Sequence, residues 1–162
     1  MLDSFIRDAN PRDIETITAL NDQAFGETAQ SKIIKRLIAD DEVLSSKLCL
    51  KDNKAIGHVM IYKVRVDGQD IGAGLGPVSV LPAHQKRGCG TKMIRTAISE
   101  INPQDRGVVF VLGHFSYYPR FGFTSEMGAR FKSPWPRPAF MAMALNGQAP
   151  QSGVLGFPQA YL

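Results

Sequence analysis

With 162 residues, 44% of them apolar and 21% charged, the chain has the size and balance of one globular domain with a single core. The net charge of +4 is spread along the chain with no run of five or more cations, which argues against nucleic-acid binding and leaves an anionic ligand compatible but not required. No stretch approaches the roughly 18 continuous apolar residues of a membrane span. The start, "MLDSFIRDANPRD", has Asp3 and Asp8 where a secretory signal would need an apolar segment, so a cytoplasmic location is expected. In that compartment Cys49 and Cys89 read as small buried hydrophobes rather than a disulfide, and without a nearby histidine pair they make a poor zinc site, so no metal is expected.

A short strand opens the chain. After the Asn10-Pro11 start signal, Ile14, Ile17, Leu20 and Phe25 recur at helical spacing, and Ile33, Ile34, Leu37 and Ile38 form the stripe of a second amphipathic helix. The period then changes. Leu48 and Leu50 precede an Asp-Asn-Lys turn, and Tyr62, Val64 and Val66 alternate with Lys63, Arg65 and Asp67 before a turn at Asp67-Gly68, which predicts antiparallel strands. In "IGAGLGPVSVL" the glycines Gly72, Gly74 and Gly76 share one strand face, leaving it bare. Pro77 removes a ladder donor at that strand's end, so a bulge or a parting from the neighbouring strand is expected there.

A third helix buries Met93, Ile94, Ala97, Ile98 and Ile101 and stops at Asn102-Pro103. The continuous apolar run "GVVFVLG" predicts a central strand covered on both faces, joined to the previous one by a right-handed crossover. "HFSYYPRF" is a helical turn or two, and "GFTSE" and "AFMAMAL" read as strands of a closing hairpin. Between them "SPWPRP" is a proline-rich loop with Trp135 as an anchor over the core. The tail, with Val154, Leu155, Phe157 and Tyr161 near its end, reads as an irregular arm docking by that apolar end.

The chemistry concentrates at "LPAHQKRGCGTKMI". A strand, a glycine-rich turn and a helix N-terminus present free backbone N–H groups and the positive end of a helix dipole, a general solution for binding phosphate. The alternative is a tight connection whose glycines serve only the turn. A P-loop is excluded because Thr91 precedes Lys92, the wrong order for G-K-[ST], and "GAGLGP" has the wrong spacing for a dinucleotide fingerprint.

What remains is Q-x-x-G-x-G, as Gln85-Lys86-Arg87-Gly88-Cys89-Gly90, with "GPVSVLP" before it and "VVFVLG" and "YYPRFGF" after it. These four segments, in this order, resemble the GCN5-related (GNAT) N-acetyltransferases. That family has an [RQ]-x-x-G-x-[GA] acetyl-CoA loop after a bulged strand and a later Y-x-x-x-G-F segment. The likeness is strongest to uncharacterised bacterial acetyltransferases with "LGPxxVxPxxQxxGxG", "VLGxxxYYxRFGF" and a late "FMAxxL", and it spans roughly Ser4 to Leu145. It implies a single α/β (α+β) GNAT-like domain with a mixed, mostly antiparallel sheet of about six to seven strands, splayed at the centre and flanked by about four helices. Residues 1–145 would form the domain, with 146–162 an arm packed on it.

The resemblance further implies that Val78, Ser79 and Val80 lend backbone groups to the pantetheine arm of acetyl-CoA. Gln85, Lys86, Arg87, Gly88, Cys89, Gly90 and Thr91 would bind its pyrophosphate. Tyr118, four residues before Gly122, matches the tyrosine that protonates the leaving thiolate, while Tyr117 reads as packing. The strand glutamate that many relatives carry is absent from "GPVSV". The base is therefore open among His114, at the end of the "VVFVLG" strand, Glu27, Glu126 and water. The expected partners are acetyl-CoA and an unidentified amine of a small molecule or a protein, with no nucleic acid and no membrane; self-association as a homodimer is left open. A CoA-binding module without catalysis is the alternative from another class.

Overall fold

The computed structural model describes residues 4–135 and 138–162. The chain forms β1 (Ser4–Asp8), α1 (Ile14–Phe25), α2 (Ala29–Ala39), β2 (Val43–Lys51), β3 (Lys54–Val66), β4 (Gln69–Val80), α3 (Cys89–Ser99), β5 (Val108–Leu112), α4 (Ser125–Gly128), β6 (Phe131–Lys132), β7 (Phe140–Ala144) and β8 (Gly153–Gly156). The strands run in the order β1-β2-β3-β4-β5-β7, and β8 pairs with both β3 and β6. β1–β2, β3–β8 and β5–β7 are antiparallel, whereas β4–β5 and β6–β8 are parallel. Among the described residues this is a mixed sheet of eight strands with four α-helices, in keeping with the expected architecture. Among the described residues no helix is long and apolar enough to cross a membrane.

The chain divides into two compact units. One runs to Ile61 and takes in Pro77–Glu100 and Gln159–Tyr161; the other holds Tyr62–Gly76 and Ile101–Pro158. In the first, Asn10 starts the helical segment as the sequence predicts. Its side chain accepts from the Arg12 amide at 2.9 Å while Asp13 accepts from the Asn10 amide at 2.8 Å, so two orphan donors are satisfied reciprocally. The Arg7 guanidinium grips both Asp13 oxygens at 2.8 and 2.9 Å and, by that hydrogen bonding, pulls the carboxyl down to about 2. The helices bury Ile17, Leu20, Ile34 and Leu37. Ile34 and Leu37 are wholly buried, each stabilising by about 1.5–3 kcal/mol. α3 contributes Cys89, Met93, Ile94 and Ala97 to this core and ends at Ser99, leaving Ile98 and Ile101 only half-buried.

In the second unit Val108–Val111 are buried along β5, between β4 on one side and β7 on the other, as a central strand requires. The glycine face of β4 is not bare. A β-carbon at Gly74 would overlap the Tyr62 ring, and one at Gly72 would fall 3.2 Å from the Phe110 ring. The glycines are the floor on which two aromatic side chains lie. "GFTSE" is not a strand: Thr124 makes one bridge to Ala142, and its hydroxyl then accepts from the Met127 amide at 3.1 Å and caps α4. A β-branched, aromatic-led pentapeptide reads as strand by propensity, but the Thr124 cap turns it into a helix. The tail is more regular than an arm, because β8 inserts between β3 and β6, pairing Arg65 with Gly156 and Val66 with Leu155. Trp135 meets Phe157 edge-on at 5.7 Å, and the next two positions of its loop, 136 and 137, lie outside the described residues.

Candidate active site

In the first unit the site is built on the end of β4. The parallel register with β5 runs from Gly72–Val108 to Leu75–Val111, while β4 itself continues to Val80. The change comes at Gly76, whose φ of +143° lies outside the range of ordinary strand residues, and at Pro77, which has no N–H to donate. The opposite side stays fastened, for the Leu81 amide donates to the Ile56 carbonyl at 2.9 Å. Val78 and Val80 are half-buried. Ser79 is buried, and its hydroxyl oxygen has no hydrogen-bond partner, an uncompensated polar atom of the kind a bound group would satisfy.

Beyond β4, Pro82–His84 make a 3-10 turn, and the Gln85 side chain donates from Nε2 to the Val80 carbonyl at 3.0 Å. Lys86 then adopts φ +62° and Gly88 φ +85° before α3 begins at Cys89. A left-handed lysine costs about 1 kcal/mol or more, and such strain collects where backbone geometry serves a site. The N-cap Gly88 brings no side-chain cap to α3, and the positive end of the helix dipole lies at this turn. Lys86 and Arg87 are exposed; Gly90 and Thr91 are half-buried. Cys89 turns inward to Cys49, and the hydrogen bond between the two thiols makes Cys49 the more acidic and Cys89 the less acidic of the pair. Cys89 therefore contributes its backbone rather than its sulfur to the loop surface. The residues from Val78 to Thr91 are thus brought into one strand–turn–helix.

In the second unit, His114 is exposed and organises a turn through its carbonyl, which accepts from the amides of Tyr117 at 3.0 Å and Tyr118 at 3.2 Å. Tyr118–Phe121 form a 3-10 turn. Burial, and secondarily the neighbouring Tyr117, push the Tyr118 hydroxyl up to about 12, so it holds its proton throughout the neutral range. Tyr117 packs edge-on to Tyr118 and carries the Arg120 guanidinium over its face at 4.2 Å, a packing role as expected.

The remaining base candidates are weaker in their surroundings. Glu126 is exposed and faces Arg130 at 3.6 Å, and Glu27 is exposed between α1 and α2. His58, which the sequence places simply on a strand, is wholly buried between Asn21 and Ser46. Sequence reasoning also missed the Gln85–Val80 bond and the surroundings of Tyr118. Their only sequence signals are a donor side chain at the head of the loop and Gly113 ending the β5 run.

Residues 5–125 match the acetyltransferase (GNAT) domain family. The uncharacterised N-acetyltransferase YjhQ of Escherichia coli (strain K12) is 31% identical over an alignment of 132 residues that covers 78% of this chain and 73% of that protein. A GNAT acetyltransferase of Brucella melitensis, solved in complex with acetyl-CoA, superimposes with a TM-score of 0.84 at 27% identity over the whole of both chains. The fold is shared with YhbS of Escherichia coli, solved in complex with CoA, at a TM-score of 0.89 and 24% identity over 99% of this chain and 93% of that one. With a family match from Phe5 to Ser125 and a curated relative across most of its length, the chain belongs to the GNAT acetyltransferase family.

Proposed function

We propose that the chain transfers an acetyl group from acetyl-CoA to a primary amine of a small-molecule or protein acceptor, by direct attack in a ternary complex. Acetyl-CoA supplies the activated acyl group. The backbone of Val78, Ser79 and Val80 receives the pantetheine arm, with the Ser79 hydroxyl as one further partner. The amides from Gly88 to Thr91 receive the pyrophosphate, and Lys86 and Arg87 offset its charge. Gln85 serves the loop by closing it on the Val80 carbonyl. His114 takes the proton from the attacking amine, the new C–N bond forms as the C–S bond breaks, and Tyr118 gives its proton to the departing thiolate and regains one from solvent. A hydroxyl titrating at about 12 stays protonated for that role at neutral pH.

The observation that carries this reading is the entrance of α3, where Lys86 is held at positive φ and the N-cap Gly88 brings no side-chain cap to the helix. The test is release of free CoA thiol across a panel of amines. Tyr118→Phe is expected to lower kcat by about 100-fold or more with CoA affinity kept, the range of a general acid. CoA binding by calorimetry with no thiol release from any amine would favour the non-catalytic module.

A further inference from the structure

Resting on the acyltransferase reading, the glycine that ends the "VVFVLG" segment acquires a role. We propose that Gly113 is a positioning residue: the space left by its missing side chain is the seat of the Tyr118 ring and fixes where that tyrosine delivers its proton. A β-carbon at Gly113 would overlap Cε2 of Tyr118 and lie 3.0 Å from Cδ2 and 3.3 Å from Cζ, where ordinary contact begins at 3.4 Å. The Cε2 edge of the ring therefore lies against Gly113.

Neither partner has an easy retreat. The Gly113 amide donates to the Ala139 carbonyl at 3.0 Å, the Tyr118 amide is held by the His114 carbonyl at 3.2 Å, and the Gly122 amide closes the turn on the Pro119 carbonyl at 3.0 Å. Around the ring stand Phe123, edge-on at 6.1 Å, Tyr117, edge-on at 5.1 Å, and Phe121, tilted at 6.2 Å. Phe123 is wholly buried and so cannot swing out to make room. Gly113 is absent from the residues with positive φ, so an alanine meets no backbone strain there. What alanine brings is a methyl group where the ring now is, and an added methyl in a filled space displaces its neighbour.

The experiment compares wild type, Gly113→Ala, Tyr118→Phe and the double variant, using an amine found in the thiol-release panel. Displacing a catalytic group by about 1 Å can cost on the order of 100-fold, so Gly113→Ala is expected to lower kcat about 10- to 100-fold while the CoA Kd stays within about twofold. On the Tyr118→Phe background the same change is expected to alter kcat by less than about twofold, because the acid it would displace is already gone. An equal fall on both backgrounds, or full activity in Gly113→Ala, overturns the inference alone. Full activity in Tyr118→Phe overturns the acid assignment and the inference together. If no amine is turned over, phenol titration decides: a Tyr118 signal that moves from about 12 down toward 10 in Gly113→Ala supports the seat, and an unmoved one overturns it. If Gly113→Ala does not fold, recovery in Gly113→Ala/Tyr118→Leu, where the ring is gone, supports the inference, and persistent unfolding overturns it.

Discussion

His58 has its tautomer set by its neighbours. The Asn21 amide nitrogen donates to the Ile17 carbonyl at 2.8 Å, which fixes its orientation, and its other hydrogen faces His58 Nδ1 at 3.2 Å. Nδ1 must then accept, so the proton sits on Nε2 and is given to the Ser46 hydroxyl at 2.9 Å. A second proton on Nδ1 would oppose the Asn21 donor and charge a wholly buried ring; burial holds the pKa down at about 4 against an ordinary 6.5. Between those two values the unfolded chain binds the extra proton and the native one does not. Stability therefore falls as pH drops from 6.5 to 4, by at most about 3 kcal/mol, and is unaffected by this group above 6.5. Asp13, held at about 2, loses its contribution only below that window. Urea unfolding of wild type and His58→Gln at pH 7 and pH 4.5 checks this. The variant is expected to lose markedly less stability on acidification, and an identical loss would exclude His58 as the source.

At the level of elements, β1, β2 and α3 meet at one buried ammonium. The Lys47 side chain is only 4% exposed, yet Nζ reaches Asp8 at the end of β1 and, at 2.8 Å, Glu100 just beyond α3. Burial alone would lower its pKa; the hydrogen bonds it donates to Asp8 and Glu100 outweigh that and raise the value. Both carboxylates are well solvated, so Asp8→Asn or Glu100→Gln alone is expected to cost under about 1 kcal/mol. Removing both strands the charge in the interior, at about 3 kcal/mol or more. A double variant no worse than the sum of the singles, read from denaturant midpoints, would contradict this. Lys47 also shows where the sequence runs short. Helices with local signals, such as Asn10-Pro11 before α1, were legible because caps and stripes are written in neighbouring residues. So was the Lys86-to-Gly90 loop, where Gly88 takes a left-handed torsion. The floor of glycines under Tyr62 and Phe110 and the partners of His58 and Lys47 come from residues far apart in the chain. "GFTSE" misled because one bridge and one Thr124 cap decide it, and the tail because its strand finds a partner on β3.

For the whole molecule, ligand binding and stability are linked. If the α3 entrance receives CoA, a concentration about 100-fold above Kd adds about 2.7 kcal/mol to the native state. In a chain of this length that is a rise of about 5 to 10 °C in Tm. Calorimetric scans with and without CoA measure it, and an unchanged Tm at that excess would remove the loop from the binding reading. The insertion of β8 also sets an order of assembly. Arg65 and Val66 leave the ribosome long before Gly156 and Leu155 exist, so during synthesis this length of strand has an open edge, ready to pair with any neighbouring chain. The charges of Arg65 and Asp67 flank it, and Asp67 later accepts the Val154 amide at 2.8 Å. The same two residues that guard the nascent edge are in place to receive the last strand when it arrives.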